Sequence, residues 1–278
     1  MRPSVKIKGI VLLLLLCVTC GIWYAALRED RGGVLTVSVL AVGQGDAIFI
    51  DTPSGRQVLV DGGPDGSVLR ALGTVLSPWD RSLDVVVATD VAAADVSGLV
   101  DVLQRYSVGT ILQTGVENTG PAWNLFEQEA AGIAARGASI RTARRGQVIE
   151  LGDGIYIEIL FPDRSAPGSA DTEGCVIARL VYGSTSFLFS CNATAGVQRY
   201  LAALDGTKIG SNVLISGAGQ TLAPVFAGYV APDYTVAPCN TKPSPPADPI
   251  FKKLGIQMLD TCNGTVTFVS DGQTVGRK

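Results

Sequence analysis

Past residue 34 the apolar residues switch between a period of two and one near 3.6 many times, and this succession restricts the fold more than any other feature. Leu35-Thr36-Val37-Ser38-Val39-Leu40 alternates and is β-branched. Ala47-Ile48-Phe49-Ile50 and Val58-Leu59-Val60 follow, with Pro53-Ser54-Gly55 between them, so the chain opens as strand, strand, turn, strand. Residues 67–76 carry a helical pattern, Leu83 to Thr89 reads as a strand buried on both faces, and residues 95–106 read as a helix leading to a strand at Thr110-Ile111-Leu112-Gln113. Trp123 to Arg136 is an amphipathic helix. Strands are expected near 147–150, 155–160, 176–181 and 186–190, then a helix at 194–204, strands at 212–216 and 233–237, a helix at 246–254 and strands near 256–259 and 265–269. The Pro-rich stretch 243–249 is expected as a loop, since proline cannot donate to a ladder. A meander followed by βαβ units needs two sheets with helices on their outer faces. The predicted fold class is therefore α/β, an αββα sandwich over residues 35–278, and 278 residues allow one such domain rather than two.

The amino-terminal part is a different kind of polymer. Gly9 to Leu27 contains no charge and includes Val11-Leu12-Leu13-Leu14-Leu15-Leu16. About 20 apolar residues suit a helix crossing a bilayer core. Arg2, Lys6 and Lys8 precede the stretch, and Trp23 and Tyr24 fall where the far interface would lie. The expected organisation is a cytoplasmic basic segment 1–8, a transmembrane anchor 9–27, a linker 28–34 and an extracytoplasmic domain 35–278. The rival reading, secretion after signal cleavage, lacks a small-x-small cleavage site before Arg28. Cys17-Val18-Thr19 is a poor lead-in for a lipoprotein site at Cys20, which reads as a plain apolar cysteine.

Four of the 22 Lys+Arg precede residue 29 and none of the 25 Asp+Glu does, which leaves residues 29–278 at a net −7. That balance disfavours nucleic acid as a partner. Cys175, Cys191, Cys239 and Cys262 show no Cys-x-x-Cys spacing, so disulfides are expected before a structural zinc site. Cys239 and Cys262 each follow a strand-like run and are the expected pair. Cys175 and Cys191 flank the hairpin turn Tyr182-Gly183-Ser184-Thr185, where a tight turn offsets them by one pair, so that bridge ranks lower.

Val42-Gly43-Gln44-Gly45-Asp46-Ala47 followed by Leu59-Val60-Asp61-Gly62-Gly63 resembles the opening of the metallo-hydrolase domain of ComEC-type DNA-uptake competence proteins, in the metallo-β-lactamase superfamily. The likeness runs over nearly all of 35–273 and ends in Gly264-Thr265-Val266-Thr267-Phe268 and Ser270-Asp271-Gly272. It implies the metallo-β-lactamase-type fold and an ancestry of two-metal phosphodiester hydrolysis. Such an enzyme needs the metal to bring a bound water from a pKa of about 15.7 to about 7.

The resemblance also locates what is missing. The family's Thr-His-x-His-x-Asp-His loop corresponds to Thr89 and the following Asp90-Val91-Ala92-Ala93-Ala94-Asp95, so Asp90 and Asp95 stand for histidines, Ala92 for another and Ala94 for the aspartate. Asn192 stands for the metal-bridging aspartate, Ala218 for a ligand in the Gly-His-His-Gly segment and Lys242 for the histidine before a Pro-Ser-Pro-like segment. The chain contains no histidine. Two-zinc centres of this type rest on neutral imidazole, so the expected cofactor is none, although zinc is what the family implies.

The remaining polar residues leave alternatives open. Asp46, Asp61, Asp90 and Asp95 are a carboxylate set of the kind that holds magnesium or manganese, which would make the chain a degenerate hydrolase or nuclease. Against that, Asp46 and Asp61 beside glycines are expected to cap turns, and Asp95 to be the N-cap of the following helix. Gly43, Gly45, Gly62 and Gly63 lack the Lys-Ser or Lys-Thr of a P-loop and read as turns. Arg141, Arg144 and Arg145 form the one basic cluster and read as a solvated loop. Ser190, Asn192, Ser216 and Gln220 are expected to line the vacated cleft with neutral hydrogen-bonding groups. The leading expectation is a non-catalytic binding or scaffold module, with a small ligand or a protein partner in that cleft and the membrane as its anchor. A DNA-handling accessory role that binds without cutting is the third reading.

Overall fold

A computed structural model describes residues 5–29, 33–163, 174–217, 220–239 and 249–278. The chain begins with α1 (Val5–Glu29) and enters its domain as the meander β1 (Leu35–Val39), β2 (Ile48–Asp51) and β3 (Gln57–Val60). Then follow α2 (Ser67–Val75), β4 (Ser82–Ala88), α3 (Ala93–Arg105), β5 (Ser107–Gln113), α4 (Pro121–Ala134) and β6 (Ser139–Thr142). The second half runs β7 (Val148–Gly152), β8 (Ile155–Phe161), β9 (Ile177–Tyr182), β10 (Thr185–Phe189), α5 (Ala195–Asp205), β11 (Val213–Ile215), α6 (Pro224–Val230), β12 (Tyr234–Ala237), α7 (Pro249–Leu254), β13 (Gln257–Asp260), β14 (Val266–Ser270) and β15 (Val275–Arg277).

The strands form an eight-stranded sheet in the order β15-β14-β1-β2-β3-β4-β5-β6 and a seven-stranded sheet in the order β13-β12-β11-β10-β9-β8-β7. Alternate residues of each strand face opposite sides, and the burial follows that rule. Val37, Ile50, Val58 and Val85 of the first sheet meet Ile157, Leu180, Phe187 and Val213 of the second in a core between the sheets. Leu59, Val86 and Ile111 point the other way, onto Leu72, Leu99 and Phe126 of α2, α3 and α4. Leu188 and Leu214 meet Leu201 and Phe226 of α5 and α6 on the outer face of the second sheet. Helix, sheet, sheet, helix is the layering that the sequence predicts.

Some boundaries differ. The helix expected at 95–106 starts at Ala93, and the strand expected at 110–113 starts at Ser107. The sequence does not predict β6 and β15, because both are short edge strands whose side chains are exposed or only half-buried and show no apolar alternation. The helix expected from 246 is described from Pro249, and most of the Pro-rich stretch lies outside the described residues.

Side chains of α1 are described for residues 8–21 and Trp23, and all of them are exposed. Among the described residues no helix is long and apolar enough to cross a membrane. Two disulfides are present. Cys239 and Cys262 join the ends of the parallel neighbours β12 and β13, with Cα atoms 4.6 Å apart. Cys175 and Cys191, ranked lower from sequence, are joined as well, at 6.3 Å. The one-pair offset is real, since Phe189 pairs with Ala178. Cys191, however, lies beyond β10 in a left-handed turn, at φ 42°, and is no longer bound by the ladder's register.

Candidate functional site

Four aspartates converge where β3 and β4 end and α3 begins. Asp46 lies in the loop between β1 and β2, Asp61 directly follows β3, Asp90 follows β4, and Asp95 is in the first turn of α3. All four are buried, with exposures of 6% for Asp46 and 2% for each of the others. Backbone contacts bring their elements together: the Gly62 amide donates to the Asp95 carbonyl (2.7 Å), the Gly63 amide to the Asp46 carbonyl (2.8 Å), and the Gly98 amide to the Gly63 carbonyl (2.9 Å). Glycine is required for this approach. A Cβ on Gly62 would stand 2.4 Å from the Leu99 amide nitrogen, and one on Gly98 would stand 1.9 Å from the Gly62 carbonyl oxygen.

Most of the carboxylate oxygens are engaged by the protein itself. Asp61, in the left-handed region at φ 57°, accepts from the Thr89 amide (2.8 Å) and the Thr89 hydroxyl (2.6 Å), which fastens the end of β3 to that of β4. Asp90 Oδ1 accepts from the amides of Val91 (2.5 Å) and Ala92 (2.9 Å). Asp95 is not the N-cap expected from sequence, because the capping position is Ala92. Its Oδ1 instead accepts from the Asp46 amide (3.0 Å) while Oδ2 lies 3.4 Å from Asn192 Nδ2. The Asp46 side chain caps no turn either, and its Oδ1 is buried without a hydrogen-bond partner.

Burial and mutual repulsion raise the pKa of three of these carboxylates. Burial pushes Asp46 well above the usual carboxylate range, and repulsion from Asp95, Asp61 and Asp90 adds to it. Asp61 is raised well above that range by the same burial and by Asp95, against the lowering by its two Thr89 hydrogen bonds. Asp95 is pushed up to about 6 by burial, with the Asp46 amide opposing and Asp90 adding to the rise.

The other positions fall into three groups. Ala92 is half-buried and Ala94 exposed beside the carboxylates, and neither offers a donor atom. Ala218 and Lys242 lie outside the described residues. Asn192 faces the cluster from the second sheet, between Cys191 and the loop after β11, where a Cβ on Gly217 would stand 2.1 Å from Asn192 Oδ1. The neutral lining expected of Ser190, Ser216 and Gln220 is mostly turned inward. Ser190 Oγ donates to the Ile215 carbonyl (3.3 Å) and Gln220 Oε1 (3.1 Å), Gln220 Nε2 donates to the Ala193 carbonyl (2.7 Å), and buried Ser216 has its hydroxyl 3.5 Å from the Val236 carbonyl.

Gln198 was missed from sequence. It is fully buried on α5, donates to the carbonyls of Ala193 and Thr221, and accepts from the Ala223 amide, so it braces the wall behind Asn192. Its signal is a glutamine on the apolar face of Leu201 and Ala202. The basic cluster is not simply a solvated loop, since Arg145 donates to Asp205 and to the Leu160 carbonyl.

The donor set does not fit a two-zinc centre. Among the described residues it offers oxygens alone, from the carboxylates and the Asn192 amide, most of the carboxylate oxygens already accept N–H or O–H hydrogen bonds, and no group of three acidic, histidine or cysteine side chains is arranged to hold a metal ion.

No family model matches the sequence, and no curated protein matches it. Solved structures do. The chain is similar to Igni18, a metallo hydrolase of Ignicoccus hospitalis, with a TM-score of 0.53 and 16% identity over 84% of this chain and 98% of that one. It is similar to the E377D mutant of the CmlA β-hydroxylase, with a TM-score of 0.54 and 12% identity over 84% of this chain and 53% of that one, so it spans about half of CmlA. A subclass B3 metallo-β-lactamase from a soil metagenome library, MEM-A1, aligns with a TM-score of 0.44 and 14% identity over 65% of this chain and 75% of that one.

Proposed function

We propose that this chain, a mixed α/β two-sheet domain of the metallo-β-lactamase fold, is a membrane-anchored extracytoplasmic binding module of ComEC-type ancestry whose hydrolytic centre has been dismantled. The observation that carries the reading is the use made of the former ligand positions. Ala92 and Ala94 offer nothing, Asp90 accepts the Val91 and Ala92 amides of its own loop, and Asp95 accepts the Asp46 amide and so ties the β1–β2 loop to α3, while Asp61 beside them fastens β3 to β4. These residues have become structural. Fold alone leaves function open, because function resides in the site.

Anchoring rests on α1. It runs without interruption for 25 residues, about 37 Å at 1.5 Å per residue, and Leu12 to Leu16 are 59–68% exposed instead of packed on a protein core. In sequence the charge-free stretch continues from Gly9 to Leu27, past the described side chains. Two disulfides suit an oxidising, extracytoplasmic compartment.

One observation favours the second reading, a hydrolase or nuclease using a hard cation. Asp46 Oδ1 is buried without a partner among like charges, and a cation would relieve that repulsion. Elemental analysis of the detergent-purified full chain, dialysed against trace zinc, manganese and magnesium, separates the two. The binding-module reading expects far less than one ion per chain and no cleavage of phosphodiester substrates. About one or two ions with cleavage that Asp90→Ala abolishes would overturn it.

A further inference from the structure

We infer that the end of the domain opposite the carboxylate site is a bilayer-docking surface centred on Trp79, which holds the cleft facing away from the membrane. This inference rests on α1 being an anchor. The strands define the two ends. β1, β3, β4 and β10 all run toward the site, since Asp61, Asp90 and Asn192 follow their C-terminal ends. Their N-terminal ends therefore share the far end with the turn at residues 52–56 and with the hairpin turn at 182–185.

The chain enters at this far end. β1 begins at Leu35, paired with Ser270, and the Tyr182 hydroxyl of the hairpin donates to the Gly33 carbonyl (3.1 Å). From Glu29, the last residue of α1, to Gly33 is four peptide steps, so the domain cannot stand more than about 14 Å from the end of that helix. Any anchor formed by α1 thus brings this end to the headgroup region.

Trp79 waits there. It lies just before β4, on the far end by the direction of that strand, and at 91% it is the most exposed large apolar side chain among the described residues. Its loop is braced, so the exposure is built in. The Asp80 amide donates to the Ser77 carbonyl (2.9 Å), and the Asp80 carboxylate accepts from the Ser82 amide and hydroxyl and from Gln57 Nε2 (2.7 Å). Arg81 is fixed over the Tyr106 ring and donates to its hydroxyl. Indole, apolar in body and polar at the N–H, is the side chain that settles at the membrane interface. β4 lies three strands from β1, about 14 Å across the sheet, so Trp79 and the chain entry form two separated points of contact that fix a tilt. The seven residues of β4 then place Asp90 about 23 Å above the docked surface.

The chain has three tryptophans, Trp23, Trp79 and Trp123, and Trp123 is buried in the core. The test is fluorescence quenching of the full-length Trp23→Phe variant, reconstituted into phosphatidylcholine/phosphatidylglycerol vesicles containing lipid brominated near the headgroup. Docking predicts at least twofold stronger quenching than in the Trp23→Phe/Trp79→Phe double variant, which keeps Trp123 alone. Equal quenching in vesicles that carry the floated protein would overturn docking and leave the anchor standing. Failure of the full chain to float with vesicles would overturn both.

Discussion

The Asp95→Asn substitution should stabilise this protein at neutral pH and leave it unimproved in acid. In the folded chain the Asp95 carboxyl is pushed from the usual 3.8 to about 6, chiefly by burial. Because the folded pKa is the higher one, the native state binds the proton more tightly than the unfolded chain does. The stabilisation is full below 3.8 and is lost as pH rises through about 6. A rise of about two units corresponds to roughly 3 kcal/mol at neutral pH, at about 1.4 kcal/mol per unit. A neutral carboxamide carries no such penalty and keeps an oxygen to accept the Asp46 amide. Allowing about 1 kcal/mol in all for the Asp46 hydrogen bond weakened by loss of the charge and for the long Asn192 contact (3.4 Å) that the carboxamide NH2 cannot accept leaves a net gain of about 2 kcal/mol. For a domain of this size that is a rise in Tm of about 4–8 °C at pH 7.5, shrinking to nothing near pH 4. Thermal unfolding of parent and variant in the same detergent, followed by circular dichroism at both pH values, measures it. A variant no more stable than the parent at pH 7.5, or equally stabilised at both values, would refute the assignment of a buried charge penalty to this site.

Other outcomes follow from the same contacts. Gly98→Ala should cost more than about 2 kcal/mol, because its Cβ would meet the Gly62 and Asp65 carbonyl oxygens at 1.9 and 2.7 Å, both backbone atoms that cannot swing aside; a denaturant midpoint like the parent's would count against the close packing of α3 on this loop. The double variant Cys175→Ala/Cys191→Ala should lose about 3 kcal/mol, the value for a closed loop near 15 residues, read as an earlier denaturation midpoint with an m-value that does not fall, since the unlinked chain exposes at least as much surface. Millimolar magnesium, manganese or zinc should move the parent's Tm by less than about 1 °C, since a cation held by the native state alone would add several kcal/mol at that excess over its Kd.

Much of the architecture was legible in the sequence, for reasons that can be named. Leu83 to Thr89 is apolar enough to be a strand covered on both faces, and Leu35 to Leu40 alternates as a strand between a core and a second layer must; both occupy those places. β6 and β15 were not legible, because an exposed edge strand is defined by its neighbour and not by its own pattern. At the site, the lack of imidazole was plain from composition. The sequence alone also left it open whether Asp46, Asp61, Asp90 and Asp95 meet.

The sequence by itself determined which periodicities the chain could bury, that its first 27 residues differ from the rest, and that no nitrogen donor of the imidazole kind stands where the resemblance calls for histidine. Only the tertiary structure decided that four aspartates from Asp46 to Asp95 are sealed from water together, that Cys191 escapes its ladder to reach Cys175, and that Trp79 is held out at the end where the chain enters. Local patterning reports how each segment partitions between water and core. The cost of a buried charge, the reach of a thiol and the direction an end faces depend on which distant segments exclude the water, and that is fixed by packing alone.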